Sequence, residues 1–191
     1  MKAISKYKEK ILLHKVRENG DTQAFAELYD LYIEKIYRFV FLKVSNKEEA
    51  EDITSEVFLK VWNYLISENA SQKKIKSFSG LIYSIARNLV IDFYRKKINK
   101  NECLIEKIEE MNPEELVGEN KIENTLDLKY DINKVMIAIR ELKKEYQELL
   151  LLKYIEELSV IEISEITGKG QTNIRVTLHR ALKILKKELE K

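Results

Sequence analysis

A single cysteine, Cys103, stands in 191 residues, so no internal disulfide is open to this chain. With only two histidines, His14 and His179, it also lacks the His/Cys cluster that holds zinc. Proline occurs once and glycine five times, which argues against a turn-rich sheet protein and, beside abundant Lys, Glu, Leu and Ile, for helices. No apolar run approaches the ~20 residues needed to span a bilayer. Met1-Lys2-Ala3-Ile4 opens no signal-peptide pattern, so the expected place is the cytoplasm, with no membrane insertion. There is no glycine-rich phosphate loop, and the carboxylates are scattered over helix faces, so no cofactor is expected and an enzyme is disfavoured. What the chain does have is 45% apolar and 35% charged residues, a balance that suits one ordinary domain or two small ones.

The formal net charge of +2 conceals three zones. Residues 1–100 hold 19 Lys/Arg against 13 Asp/Glu, a net of +6; residues 101–130 hold 3 against 9, a net of −6; residues 131–191 hold 12 against 10, a net of +2. The acidic middle contains the sole proline, Pro113, together with Gly118, and keeps no helical period. It reads as a linker over 100–127 between a first domain, 1–99, and a second, 128–191; a solvated tether is the plain reading of such a stretch.

Apolar spacing makes every strong segment helical, so the expected fold class is all-α, two small helical domains joined by a flexible linker, the second ending in a helix-turn-helix. Gly20-Asp21 breaks a first helix, and Asp21 or Thr22 caps a second with Phe25, Leu28, Tyr32, Ile36, Phe39 and Val40 at three- and four-residue steps. Ser45 or Asn46 caps a third, in which Ala50, Ile53, Val57, Val61 and Tyr64 form one seam and Phe58, Trp62 and Leu65 another. Its remaining wedge holds Glu48, Glu49, Asp52, Glu56, Leu59 and Asn63, an acidic stripe that is either a solvated face or a partner surface.

A polar, lysine-rich loop follows from Glu68 to Phe78, with Lys73, Lys74 and Lys76. Ser79-Gly80 then opens a fourth helix whose inward face takes Leu81, Ile82, Ile85, Ala86, Leu89 and Phe93. Gly80, Ser84, Arg87, Asn88, Ile91 and Arg95 point the other way, flanked by Tyr83 and Tyr94. Residues 72–100 carry eight basic groups and only Asp92 as an acid. Cations and rings on one face suit single-stranded nucleic acid, where cations track phosphates and rings stack on bases; a solubilising basic face is the alternative.

Helical patterns then cover about 131–142 and 145–155. Ser159 caps Val160 to Thr167, with Glu162 completing a capping box, and Gly168 ends that helix. After Lys169-Gly170 a long helix runs from about Gln171 with Ile174, Leu178, Ala181, Leu182 and Leu185 inward. Two helices across a short glycine-containing turn form a helix-turn-helix. Thr172, Asn173, Val176, His179, Arg180 and Lys183 face outward, with Arg175 and Thr177 on the shoulders. Amide, hydroxyl, methyl and guanidinium groups together match what the major groove offers.

These residues resemble the compact extracytoplasmic-function class of bacterial RNA polymerase sigma factors. Asp21 to Tyr29 resembles that family's entry into its second region, and Glu49 to Trp62 its polymerase-binding helix. Leu81 to Leu89, followed by Asp92 and Arg95-Lys96-Lys97, resembles its promoter-melting helix. Leu149 to Tyr154 and Leu158 to Ala181, closing on Leu178-His179-Arg180-Ala181, resemble its fourth region, which reads duplex DNA.

The resemblance implies a non-catalytic initiation factor that joins core RNA polymerase, directs it to chosen promoters and helps open the minus-ten element. Asp52, Ser55, Glu56 and Leu59 are then expected to bind polymerase. Lys73, Lys74, Lys76, Tyr83, Arg87, Asn88, Tyr94 and Arg95 are expected to hold the melted minus-ten strand. Gln171, Thr172, Asn173, Arg175, Val176, Thr177, His179 and Arg180 are expected on the minus-thirty-five duplex. An anti-sigma factor is a further candidate partner. The chain departs from the family pattern at Ser55 (usually Gln), Leu81 (Trp), Ser84 (Arg), Glu157 (Gly), Lys169 (apolar) and Gly170 (Ser or Thr). A helix-turn-helix regulator that acts without polymerase is the alternative reading.

Overall fold

The structure is a computed structural model, and it describes residues 2–67, 75, 77–99, 134, 135, 137–139 and 141–190. Regular structure among them is entirely helical, and the chain divides into two compact units, Met1–Glu109 and Glu110–Lys191. The acidic stretch read as a linker lies outside the described residues, apart from its surroundings.

Four helices build the first unit: α1 (Lys2–Asn19), α2 (Thr22–Val44), α3 (Lys47–Ile66) and α4 (Phe78–Asn99). Their ends are set by local chemistry. Gly20 takes φ +60° and closes α1 through an N–H bond to the Val16 carbonyl, 2.9 Å. Asp21 then caps α2, its carboxylate accepting from the Ala24 N–H at 3.0 Å. At the far end Ser45 turns left-handed, φ 56°, and Asn46 caps α3 by accepting from the Glu49 N–H at 2.9 Å. Of the two residues open to that role, Asn46 is therefore the cap and Ser45 the stop.

Helix α2 packs on α1, α3 and α4, and α3 packs on α4. The interfaces are stitched by aromatic pairs: Phe25 against Trp62 at 4.9 Å between ring centres, Tyr29 against Phe58 at 4.5 Å, Tyr32 against Phe78 at 5.1 Å and Phe39 against Tyr83 at 5.3 Å. Such pairs each add about 0.5–1.5 kcal/mol beyond the area they bury.

The last two pairs rotate and extend α4 relative to its expected inward face. Phe78, Ser79, Ile82, Tyr83, Ala86, Leu89 and Val90 are buried, while Leu81, Ile85 and Phe93 are only half-buried and Gly80 is covered rather than outward. The helix also begins at Phe78, slightly earlier than Ser79-Gly80 suggests, because Ser77 is its cap: the Ser77 hydroxyl accepts from the Gly80 N–H at 3.0 Å. A second anchor comes from α1, where Glu9 accepts from the Phe78 N–H at 3.2 Å and also from the Tyr32 hydroxyl. No acid lies in the first turn of α4 itself, so Glu9 supplies the negative charge that a helix start favours.

In the second unit residues 134, 135 and 137–139 are helical, then come α5 (Lys144–Leu150), α6 (Val160–Thr167) and α7 (Gln171–Leu189). The expected helix over 145–155 is α-helical only to Leu150 and continues as a π-turn, Leu151–Ile155. Leu149, Leu150, Leu151 and Leu152 are all buried. Four consecutive residues sweep about 300° around an α-helix, far wider than one apolar stripe, so the chain is covered on most sides at this point, while Lys144, Glu145 and Tyr154 to either side are exposed. Glu157 follows with φ 53°, a left-handed position occupied by a residue with a side chain.

Ser159 caps α6 with a complete capping box: its hydroxyl accepts from the Glu162 N–H at 3.2 Å and the Glu162 carboxylate accepts from the Ser159 N–H at 2.9 Å. Gly168, φ 71°, ends α6 with an N–H bond to the Ser164 carbonyl, 2.9 Å. Gly170 occupies the cap position of α7 and provides no side-chain bond. Ile174, Thr177, Leu178, Ala181 and Leu185 form the buried stripe of α7, whereas Leu182, expected inward, is exposed.

Candidate polymerase and nucleic-acid interfaces

Three helix faces carry the candidate residues. On α3, Asp52, Ser55, Glu56 and Leu59 are all exposed, Leu59 at 60%. Glu56 pairs with Lys60 one turn on at 2.9 Å, an exposed bond worth at most about 1 kcal/mol, and the Ser55 hydroxyl donates to the Glu51 carbonyl at 2.9 Å. Glu48 and Asn63 are exposed too, but Glu49 leaves the stripe: it is half-buried and bonds Lys97 of α4 at 3.0 Å. The open acidic surface is therefore Glu48, Asp52 and Glu56, with Leu59 as its apolar member.

On α4 the expected set is brought together only in part. Asn88 and Arg95 are exposed and Arg87 is half-buried, on one side of the helix. Arg95 bonds Asp92 at 3.3 Å. Tyr94 is half-buried, its hydroxyl donating to the Lys43 carbonyl at the end of α2, so one ring edge is tied to the bundle. Tyr83 does not flank an exposed face: it is 1% exposed, edge-on to Phe39, and cannot stack on a base. The reason is the rotation of α4 that seats Phe78 and Tyr83 against α2, which spacing alone does not distinguish from a core of Leu81 and Ile85. Lys73, Lys74 and Lys76 lie outside the described residues.

On α7, Gln171, Thr172, Asn173, Arg175, Val176, His179 and Arg180 are all exposed, and Lys183 with them. Thr177 is not: it is 8% exposed, turned to the core side, with its hydroxyl donating to Asn173 Oδ1 at 3.0 Å. As a direct DNA contact it is thus corrected, since only a further rotation of the helix would bring it to the surface. The turn that presents α7 is held twice. The Ser164 hydroxyl donates to the Lys169 carbonyl at 2.6 Å, and the Lys169 ammonium pairs with Glu145 at the start of α5. That pair explains how a lysine occupies a position where the resembling family has an apolar residue.

No group of three or more His, Cys, Asp or Glu is placed to hold a metal ion among the described residues, and no helix there is long and apolar enough to cross a membrane. Residues 28–98 match the family described as Sigma-70 region 2, and residues 132–185 the family described as Sigma-70, region 4. Over 185 residues the chain is 32% identical to the ECF RNA polymerase sigma factor SigW of Bacillus subtilis (strain 168), covering 90% of this chain and 92% of the relative. The chain belongs to the ECF RNA polymerase sigma factors.

Two solved structures share the fold of this sigma factor. CnrH, in complex with the cytosolic domain of CnrY, superimposes with a TM-score of 0.68 at 15% identity over 96% of this chain and 97% of that one. The sigma factor RpoE of Bartonella quintana, in complex with the anti-sigma factor NepR, gives 0.64 at 19% identity over 87% of this chain and 96% of that one. The protein is accordingly a transcription initiation factor, a partner of core RNA polymerase and promoter DNA. The region 2 match contains α3 and α4 up to residue 98, with their candidate faces, and the region 4 match contains α6 and α7 as far as Leu185.

Two residues escaped sequence reasoning. Glu9 joins α1 to α2 and α4 across 23 and 69 residues of chain, and no periodicity signals a contact so remote. The Glu49 bond to Lys97 is likewise invisible in spacing, although an acid at the start of one helix and a base at the end of another is a weak hint.

Proposed function

We propose that the three faces divide the work of initiation. The α3 surface of Asp52, Ser55, Glu56 and Leu59 docks on polymerase; Arg87, Asn88, Tyr94 and Arg95 on α4, with the lysines of the preceding loop, hold the opened minus-ten strand; α7 reads the minus-thirty-five duplex. Residues 1–99 then serve as the polymerase and melting domain, 128–191 as the duplex-reading domain, and the acidic stretch as the connection. No bond-making step is assigned to any of these residues. An anti-sigma factor, the partner named for the Bartonella fold-mate, is the inhibitor we expect, and the cytoplasm the place of action.

The observation that carries this reading is the exposed side of α7, where the amides of Gln171 and Asn173, the hydroxyl of Thr172, the methyls of Val176, the imidazole of His179 and the guanidiniums of Arg175 and Arg180 stand along a helix whose other side is packed. Base edges in the major groove need that set of donors, acceptors and apolar contacts.

The experiment is run-off transcription with purified core polymerase, using the intact protein and an Asp52→Lys/Glu56→Lys variant. The variant is expected to stay folded with a loss of about 1–2 kcal/mol at most, since both residues are exposed and cap nothing while the Glu56–Lys60 pair becomes like-charged. It should nevertheless need on the order of ten times more protein to saturate polymerase, because a charge reversed at an interface opposes its partner. Equal competition by the folded variant removes α3 as the docking face. Sequence-selective DNA binding and regulation with no need for core polymerase favours the independent regulator instead.

A further inference from the structure

A threonine inside a helix commonly returns its hydroxyl to the backbone carbonyl one turn back. Thr167 does so in α6, donating to the Ile163 carbonyl at 2.7 Å. Thr177 in α7 does not; it donates at 3.0 Å to the side-chain oxygen of Asn173, four residues earlier and exposed. Thr177 itself is 8% exposed, so its hydroxyl reaches Asn173 from the packed side of the helix.

The consequence lies in what an asparagine shows to its surroundings. Its amide has an acceptor end and a donor end, and an untethered amide turns either outward at little cost. With Oδ1 held from below by the Thr177 O–H, both Nδ2 hydrogens are left to the outer side, and Oδ1 retains one lone pair. A donor beside an acceptor matches the major-groove edge of adenine, which offers N7 as acceptor and the N6 amino group as donor. The reversed amide, with its nitrogen turned down to the threonine oxygen, would spend one of its two N–H groups there and turn its oxygen outward, a set poorer in donors and richer in acceptor that leans toward the cytosine amino group instead.

We propose that Thr177 is a specificity-setting positioning residue: it touches no base, and by fixing the amide of Asn173 it makes the start of α7 select adenine in the upstream promoter element. This rests on the reading that α7 faces the minus-thirty-five duplex and that Asn173 reads a base there.

The test uses the full chain with core polymerase and a promoter library randomised across the upstream element. Four proteins are compared with the parent: Asn173→Ala, Thr177→Val, Thr177→Ser and the Asn173→Ala/Thr177→Val pair. Valine keeps the buried shape and removes the hydroxyl; serine keeps the hydroxyl. The parent should prefer adenine at one position, and Asn173→Ala should erase that preference. Thr177→Val should reduce it by about fivefold or more while preferences elsewhere stay, Thr177→Ser should retain it, and the pair should match Asn173→Ala alone. If Asn173→Ala changes no preference, Asn173 reads no base and both the assignment and the inference fall. If Asn173→Ala erases a preference that Thr177→Val leaves intact, the positioning role alone is overturned. A parental preference for cytosine at that position, or a loss under Thr177→Val spread evenly over all positions, also overturns it.

Discussion

Helices α4 and α7 are of similar length and are both candidates to meet DNA, yet they are built on opposite plans. Helix α4 is wedged against α2 and α3, and much of its polar chemistry is spent on the protein: Tyr94 bonds Lys43, Lys97 bonds Glu49 and lies 4.9 Å over the Phe93 ring, Ser84 bonds the Gly80 carbonyl. Helix α7 packs along one stripe only, against α5 and α6, and its cations and amides stand in water. The helix proposed to grip single-stranded bases is part of the core of the first unit; the helix proposed to read a duplex lies along the core of the second unit like a rail. Changing the face of α4 therefore changes the fold beneath it, whereas the face of α7 can be rewritten separately.

The largest expected effect tests the first half of that contrast. Tyr83→Ala should destabilise the protein by about 3–5 kcal/mol, the range for truncating a buried aromatic, and urea unfolding should show an early transition. A stability within 1 kcal/mol of the parent, by the same order of estimate, would return Tyr83 to the surface and α4 to the same plan as α7. Next in size, Arg180→Ala should leave stability nearly unchanged, because Arg180 is exposed, and should cost about 1–3 kcal/mol of discrimination at one position of the upstream element. Uniformly lower output, with the sequence preference intact, would make Arg180 a phosphate contact. The smallest effect should come from Glu157→Gly. Relief of the left-handed backbone gains about 1–2 kcal/mol and the entropy of glycine takes back about 0.5–1 kcal/mol, leaving a gain of roughly 0.5–1 kcal/mol. Promoter preference should not move; if it does, the support of α7 and its face are not separable.

What could be read from residue order alone was whatever depends on neighbours in sequence. Asp21, Asn46 and the Ser159–Glu162 box act within three residues of themselves, and each caps the helix that its spacing announces. The same holds for the exposed side of α7, since one packed stripe leaves little doubt about what points away. Helix α4 defeated that logic because it is covered on more than one side: several rotations satisfy its apolar pattern, and the choice is made by Tyr32 and Phe39 on another helix. The leucine run at 149–152 is hard to orient for a related reason, since four consecutive buried residues mark no single stripe, although the helix expected over 145–155 is there. For Thr177, a hydroxyl on the shoulder of a helix reads equally as contact or support until its partner is seen.

Glu9 bears on the order in which the molecule is made. Its carboxylate awaits the Phe78 N–H, 69 residues downstream, so the first unit cannot complete its packing until that residue has left the ribosome. At about 5–20 residues per second the interval is roughly 3–14 s, during which Glu9 is present without one of the two groups that bond it. Tyr32 is synthesised only 23 residues after Glu9, so of the two groups that bond the acid it is the first to be made.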